Sequence, residues 1–447
     1  MGSHPESFVR DESVIGGDDG GFGPTDRIVG SVVDLAGVAR AKVFPMSRLD
    51  SFIESGAGAS PSWSVYCVDN HTALIPALTV VGDLRLRIHR EDVRNLGGGT
   101  FWAPACLTEQ DGTPSSTCTR TALQRATDRL SAVGVSARIG HEIEFNLFDA
   151  TSPEEWMSYG LNAVLAQEEF IETLLASASV AGLSIDQIHA EGGLNQFEVS
   201  LAPADPISAA DNLVLTRVLI SRAARERGLR ASFAPMAIAG DFGNGAHQHL
   251  SFVREGLPIL SGGSGLHGLT PYGEAAIAGL VRALPQFVAV LAGSALSHLR
   301  LGPGMWAGAF RCWGLENREA AVRMCADTTG NPHGANLEVK PIDSSANPYL
   351  SSAAILGAVH AGIVDQLPLP NEVSVNPADP DEEVSVELLP TAPSEMLAEL
   401  RSSALAQDLF GSLLMEALLT VKGYEYSEYR DKPVEEVTRQ LRYAWTC

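Results

Sequence analysis

Positive charge is scarce in this chain: 31 lysines and arginines stand against 54 aspartates and glutamates, a formal net charge of -23 over 447 residues. Binding a phosphate backbone needs clustered Lys and Arg, so the balance argues against nucleic acid as a partner. Any nucleotide must be held by metal cations and a few placed arginines. Cysteine is sparse as well. Cys67, Cys106, Cys118, Cys312, Cys325 and Cys447 form no CxxC pair and no metal-ligand spacing, which reads as reduced thiols rather than a disulfide frame or a zinc site. No uninterrupted apolar run is long enough for a membrane helix, and the first residues lack the apolar core of a secretion signal. The expectation is a cytoplasmic protein with no membrane partner.

What is present is an ordinary globular composition, 45% hydrophobic and 19% charged, in a chain long enough for two domains. Residues 1–24 are polar, acidic and Gly-rich and read as a disordered arm. Apolar and polar residues roughly alternate over Ile28–Asp34 and Val38–Phe44 around Leu35-Ala36-Gly37, the pattern of a β-hairpin. A helix at Ser47–Ser55 and short strands at Leu84–Ile88 and Thr100–Ala105 complete a small β-rich domain, 25–112. From 113 to 447, helical periodicity at Ser115–Val133, Gln167–Ala181, Ala209–Arg227 and Gly273–Leu299 interleaves with strands around 187–201 and 231–238. A Pro- and acid-rich linker, Pro368–Val386, precedes a helical end, Pro393–Leu441. The class expected is α+β, with a sheet carrying the catalytic domain.

Four stretches carry chemistry. Gly140-His141-Glu142-Ile143-Glu144-Phe145 alternates, placing Glu142 and Glu144 on one strand face, where two carboxylates repel unless cations lie between them. His189-Ala190-Glu191-Gly192-Gly193-Leu194-Asn195-Gln196-Phe197-Glu198 sets two glutamates about a Gly-rich bend. Gly243-Asn244-Gly245-Ala246-His247-Gln248-His249 puts two imidazoles at i and i+2 behind glycines that let backbone approach a ligand. Asn336-Leu337-Glu338-Val339-Lys340 alternates again, and Arg300, Arg318 and Arg323 lie between the last two stretches. Taken singly, each is as well read as a solvated strand face or a surface ion pair. Together they form an oxygen-rich set suited to Mg²⁺ or Mn²⁺ rather than zinc, and such ions bridge phosphate oxygens of a nucleoside triphosphate.

In order, ExEF, the bend ending in Gln196-Phe197-Glu198, GNGAHQH, NREAAVR and LEVKPIDSSANPYL resemble the signature blocks of the glutamine synthetase superfamily. The resemblance runs from about residue 27 to the end. It implies a small N-terminal β-grasp domain and a large glutamine-synthetase-type catalytic domain with an antiparallel sheet. It also implies two or three Mg²⁺ or Mn²⁺ per site, with ATP as a substrate. By motif, Glu144, Glu191 and Glu198 hold one ion and Glu142, His247 and Glu338 another, and Glu198 doubles as a catalytic candidate. His249, Arg318, Arg323 and Asn336 face ATP, the two arginines stabilising phosphoryl charge. Gly243, Asn244, Gly245, Arg300, Trp306 and Lys340 bind substrate, with Arg300 orienting its carboxylate. The reaction implied is phosphorylation of a carboxylate followed by amine attack on the acyl phosphate. The assembly implied is a homododecamer with intersubunit active sites.

The departures from the family concern the amine. Trp306 occupies the place of a loop glutamate that helps bind and deprotonate ammonium, and an indole can only offer its face to alkyl, aromatic or cationic groups. The family's DGSS ammonium loop is missing, Gly58-Ala59-Ser60-Pro61-Ser62-Trp63 standing in its region with Asp83 as the nearest acid. Phe242, Asn336 and Lys340 replace an asparagine and two arginines on the acid side. These traits resemble the branch that joins the γ-carboxylate of glutamate to polyamines, ethanolamine or other amines. Glutamine synthesis from ammonia, a phosphotransferase on the same fold and a noncatalytic homologue are the alternatives.

Overall fold

Alternation of apolar and polar residues builds two sheets in the computed structural model, which describes residues 22–150, 156–332 and 334–446. The arm expected at 1–24 lies almost wholly outside the described residues. The first sheet has six strands: β1 (Arg27–Val33), β2 (Ala39–Pro45), β3 (Ala57–Ala59), β4 (Leu84–Ile88), β5 (Arg94–Asn95) and β6 (Thr100–Thr108), in the order β2-β1-β6-β4-β3 with β5 beside β6. The hairpin expected at its start is β1 and β2, closed by Gly37 at φ 82°. β1 and β6 run parallel. Helix α1 (Leu49–Glu54) covers this sheet, with Phe52 packed among Ile28, Leu86 and Ile88.

The second sheet has nine strands: β7 (Val135–Phe148), β8 (Ile185–Ala190), β9 (Gln196–Leu201), β10 (Arg230–Ser232), β11 (Gln248–Arg254), β12 (Leu257–Pro258), β13 (Phe310–Leu315), β14 (Ala320–Cys325) and β15 (Asn336–Val339). Its order is β13-β14-β15-β11-β7-β9-β8, antiparallel except for the β13–β14 pair. The class is therefore α+β, as expected. The fourteen-residue β7 is its central strand, paired with β11, β9 and β10. The strand expected at 231–238 is shorter, ending at Ser232.

Helices α2 (Thr119–Ala132), α3 (Leu161–Ala166), α4 (Glu168–Ala181), α5 (Pro206–Glu226), α6 (Pro271–Leu291), α7 (Ser297–Arg300) and α8 (Pro348–Val364) accompany this sheet. The helical end comprises α9 (Pro393–Ser402), α10 (Ala404–Phe410), α11 (Ser412–Tyr429) and α12 (Val434–Leu441). By length and composition alone α6 could cross a membrane, but 72% of its most apolar stretch is buried. It lies against α8 so closely that a Cβ on Gly279 would stand 2.3 Å from the Ala358 carbonyl. Asn347 caps α8, accepting from the amides of Tyr349 and Leu350, and donates to the carbonyls of Val33 and Asp34 in the first sheet. One polar side chain thus starts the core helix and fixes it to the small sheet.

Candidate active site

Residues directly opposite each other across an antiparallel ladder share a face. β7 sets Glu144 opposite Glu198 of β9, and β11 sets His249 opposite both Gly140 of β7 and Glu338 of β15. Arg323 of β14 is opposite Glu338 in turn. Glu142 and Glu144 lie at even steps from Gly140, so all of these side chains leave the same face. The loop before β11 continues along β7, the carbonyls of Gly245 and His247 accepting from the amides of Glu144 and Glu142 at 3.1 and 3.0 Å. Gly245 keeps that space open for the site's side chains: a Cβ would stand 2.6 Å from Glu144 Oε1, 2.7 Å from Arg300 Nη2 and 2.8 Å from His247 Nε2 and would displace them.

Three groups of possible metal donors result, each with its ligand atoms within 4.8 Å of one another: Glu142, His247 and Glu338; Glu144, Glu198 and His247; His189, Glu191 and Glu198. The first is the trio expected from the motifs. The other expected trio is divided, since Glu198 is shared between the groups holding Glu144 and Glu191. Burial pushes the Glu144 carboxyl up to about 7, and burial with the crowding of Glu142, Glu144 and Glu191 puts Glu198 well above the usual carboxylate range. Carboxylates gathered this way cannot all ionise unless cations join them. The donors are oxygens with imidazole and no thiolate, a set that fits Mg²⁺ or Mn²⁺.

The cationic side chains partition between the carboxylates. Glu338 is buried, which alone would raise its pKa, but Lys340, His247 and His249 hold it at about 2. Lys340 Nζ is 2.9 Å from Glu338 Oε1 and Arg323 Nη1 3.1 Å from Oε2, with Arg323 Nη2 on Glu316. Arg300 donates from Nη2 to His247 Nε2 at 2.9 Å. Arginine has no acceptor, so Nε2 is unprotonated and Nδ1–H donates to Glu142 Oε2 at 3.2 Å. Burial, holding His247 down to about 4, agrees with this neutral tautomer. His249 is the reverse: burial opposes its charge, but Cys325 and Glu142 hold its pKa well above the usual imidazole range, with Nε2 3.1 Å from Glu142 Oε1.

The remaining expected residues fall in different places. Asn336 Oδ1 is 2.8 Å from His249 Nδ1, and both line a cleft of about 390 Å³ with Arg138, Asp186 and Asn331. Arg300 is 4% exposed, and its Nη1 has no hydrogen-bond partner among the described residues. Gly243 passes beneath it, where a Cβ would meet Arg300 Cβ at 2.8 Å. Asn244 turns inward, donating to Asn146 Oδ1 and the Ala234 carbonyl, so it supports the loop. Arg318 is exposed on the turn before β14, within electrostatic reach of Glu316, the carboxylate that Arg323 Nη2 binds. Trp306 is 56% exposed on the loop after α7, in a left-handed conformation at φ 52°.

Three residues of the site lie within the motif stretches without a role expected of them. Glu319, buried, accepts from the amides of Trp306 at 3.0 Å and Gly304 at 3.3 Å and so pins the Trp306 loop. His189, opposite Glu198 in the β8–β9 ladder, bonds Glu191 Oε1 through Nε2 at 2.7 Å. Gln196 donates to Glu144 Oε2 at 2.8 Å. The signal for Gln196 and His189 was in the text, since both alternate with the glutamates on their strands. Glu319 stands inside NREAAVR, but nothing in that block ties it to the Trp306 loop, thirteen residues earlier in the chain.

Comparison with known proteins places this geometry. Residues 116–440 match the family model described as glutamine synthetase, catalytic domain. The chain is similar to the gamma-glutamylpolyamine synthetase of Streptomyces coelicolor, 35% identical with 88% of each chain covered. It is similar to the glutamine synthetase of Pyrococcus horikoshii, 28% identical over 95% of this chain and 94% of that one. Among solved structures, a novel glutamine synthase homologue superposes with a TM-score of 0.86 at 29% identity, covering 95% of this chain and 99% of that one. An ADP complex of GmaS superposes with a TM-score of 0.82 at 25% identity, covering 93% and 96%.

Proposed function

The chain belongs to the glutamine synthetase family and is an ATP-dependent carbon–nitrogen ligase of that fold, and from this premise we propose that it joins the γ-carboxylate of glutamate, or a related acid, to an amine other than ammonia. A polyamine is the amine class we favour, on the similarity to the Streptomyces coelicolor relative whose name carries it. The observation that carries the reading is the contrast around α7. Arg300 keeps an unspent Nη1 beside the carboxylates, while six residues on stands Trp306, which can accept no proton.

In the proposed sequence Arg300 Nη1 takes the acid's α-carboxylate or its reacting end and turns a carboxylate oxygen toward the ATP γ-phosphorus. Attack there forms a new P–O bond as the bond to ADP breaks, leaving an acyl phosphate. The amine then attacks the acyl carbon, phosphate departs, and one amine proton passes to Glu198, Asp83 or solvent. Arg323 and His249 offset charge on the transferred phosphoryl, and Trp306 covers the amine with an apolar or cation-binding face. Divalent cations held by Glu142, His247 and Glu338, and by Glu198 with Glu144 on one side and Glu191 on the other, would supply charge neutralisation to the phosphates. The division into a β-grasp domain, 25–112, and a catalytic domain, 113–447, and assembly as a cytoplasmic dodecamer whose neighbours complete each site, belong to the same proposal.

The test is ADP release measured over a panel of amines with glutamate and related acids. Stimulation by polyamines or other bulky amines above ammonium supports the reading. No stimulation by any amine, or ammonium as the best of them, sinks it.

A further inference from the structure

Two of the sparse cysteines meet at one edge of the small sheet. β1 pairs with β6 only as far as Pro104, so beyond that residue β6 needs other partners. The turn before α2 supplies them. Pro114 bridges Thr108, the Ser115 amide donates to the Leu107 carbonyl at 3.0 Å, and the Leu107 amide donates to Cys118 Sγ at 3.4 Å. A sulfur thus stands where the carbonyl of a neighbouring strand would. Cys106, the residue before Leu107, packs against the same apolar cluster as Cys118, and its thiol donates to the Cys118 sulfur. Cys118 is buried and Cys106 partly exposed.

Arg120 ties this sulfur pair to the core helices. Its Nη1 lies 3.6 Å from Cys106 Sγ and its Nη2 3.0 Å from Asp92 Oδ2. Nε and Nη2 hold the two oxygens of Asp211, on α5, at 3.0 and 2.8 Å. Asp211 Oδ1 also accepts from the Tyr349 hydroxyl, in the first turn of α8, at 2.8 Å. One guanidinium on α2, close in the chain to Cys118, therefore joins β6, α5 and α8. The bond from Cys106 pulls the Cys118 thiol down to about 6, so the buried sulfur is ready as a thiolate while its partner can be reached from solvent.

We propose that Cys106 and Cys118 form a reversible disulfide under a peroxide, an oxidation switch at the seam between the small sheet and the core helices. The Cys106 sulfur attacks one peroxide oxygen, the O–O bond breaks, and the departing hydroxide leaves as water with the thiol proton, so that Cys106 becomes a sulfenic acid. Cys118 Sγ, as thiolate, displaces hydroxide from that sulfur and closes the S–S bond. The two sulfurs together give the peroxide two electrons. To bond, they must close to about 2 Å, and a neutral disulfide accepts more weakly than a thiolate. The Leu107 amide and Arg120 Nη1 then lose their partners, the start of α2 is drawn toward β6, and Arg120 eases its hold on Asp211 and Tyr349.

Hydrogen peroxide on the full chain, followed by alkylation and peptide mapping, tests the site. A Cys106–Cys118 crosslink should form, about 2 Da lighter than the paired thiols, and dithiothreitol should reverse it. Cys118→Ser should leave a sulfenic acid on Cys106 that dimedone traps, and Cys106→Ser should slow oxidation of Cys118 at least about tenfold. Hydrogen exchange reads the switch: amides in the first turn of α8 should exchange at least about threefold faster in the oxidised protein and stay unchanged in peroxide-treated Cys106→Ser. Ligation, which rests on the function proposed above, should slow about threefold on oxidation, recover with dithiothreitol and be spared in Cys106→Ser. The site is overturned if Cys106 and Cys118 do not link, or if the buried Cys67 and Cys312 oxidise as fast as Cys106. A linked protein whose α8 amides exchange as in the reduced one overturns the switch. Because crosslink and exchange are read without turnover, an inactive ligase assay leaves both results standing.

Discussion

The carboxylate face of the large sheet and the loop after α7 are neighbours built on opposite terms. On the sheet, Glu144, Glu198 and Glu338 are buried, held by ladder pairing on both sides and by Arg323, Lys340 and Gln196. On the loop, Trp306 is half exposed, bent into a left-handed conformation, and tied down by the two amide bonds to Glu319. A sheet fixes positions to within the tolerance phosphoryl transfer needs, while a loop can change its residue without disturbing the ladder. The proposed reading assigns the phosphoryl chemistry to the strands and the choice of amine to the loop, and the difference in build is what makes that division testable.

The largest break should come on the sheet. Glu338→Gln is expected to lower turnover at least about 1000-fold with every amine, an interaction worth roughly 4 kcal/mol. Glu338→Ala should abolish turnover and also destabilise the fold by about 3 kcal/mol, since Lys340 is left buried without its partner. Equal loss with all amines places the effect on the shared step. A selective loss with one amine would erase the division between sheet and loop. Next in size, saturating Mg²⁺ or Mn²⁺ should stabilise the protein by about 2.7 kcal/mol at a hundredfold excess over Kd, read as a rise in melting temperature that chelation reverses. The physical source is relief of the crowding that raises Glu144 and Glu198.

A smaller and more selective change belongs to the loop. Trp306→Glu is expected to move the ratio of kcat/KM for ammonium against a polyamine about tenfold toward ammonium, with ATP and acid parameters little changed. Trp306→Ala separates loss of the indole from gain of the carboxylate. An unmoved amine profile in both variants would remove the loop from the specificity argument.

The same contrast explains what could be read before the structure. Strand residues such as Glu142, Glu144 and Glu338 declare themselves because period-two alternation fixes the face on which each side chain leaves. The hairpin about Gly37, the helices and the α+β class were legible for similar local reasons. Three-dimensional adjacency was not. Nothing in the text pairs His189 with Glu198 rather than with solvent, divides the expected trio of Glu144, Glu191 and Glu198, or turns Asn244 inward toward Asn146. Arg318 and Arg323 read alike within NREAAVR, yet one is exposed and the other grips Glu338.

Glu319 offers the finest cut between the two regions because its carboxylate holds the loop through backbone amides. Both its oxygens accept, one from the Trp306 amide and one from that of Gly304. Glu319→Gln preserves size and burial but replaces one acceptor with an NH₂, so one amide loses its partner and the left-handed turn at Trp306 loses half its clamp. If the loop chooses the amine, the amine KM should rise about threefold, a loss of well under one hydrogen bond's worth of free energy, while the KM for the acid and the Mg²⁺-dependent rise in melting temperature hold steady. Parallel increases in the acid and amine KM would show instead that the loop and Arg300 move as one body, because α7 and Trp306 are only a few residues apart in the chain.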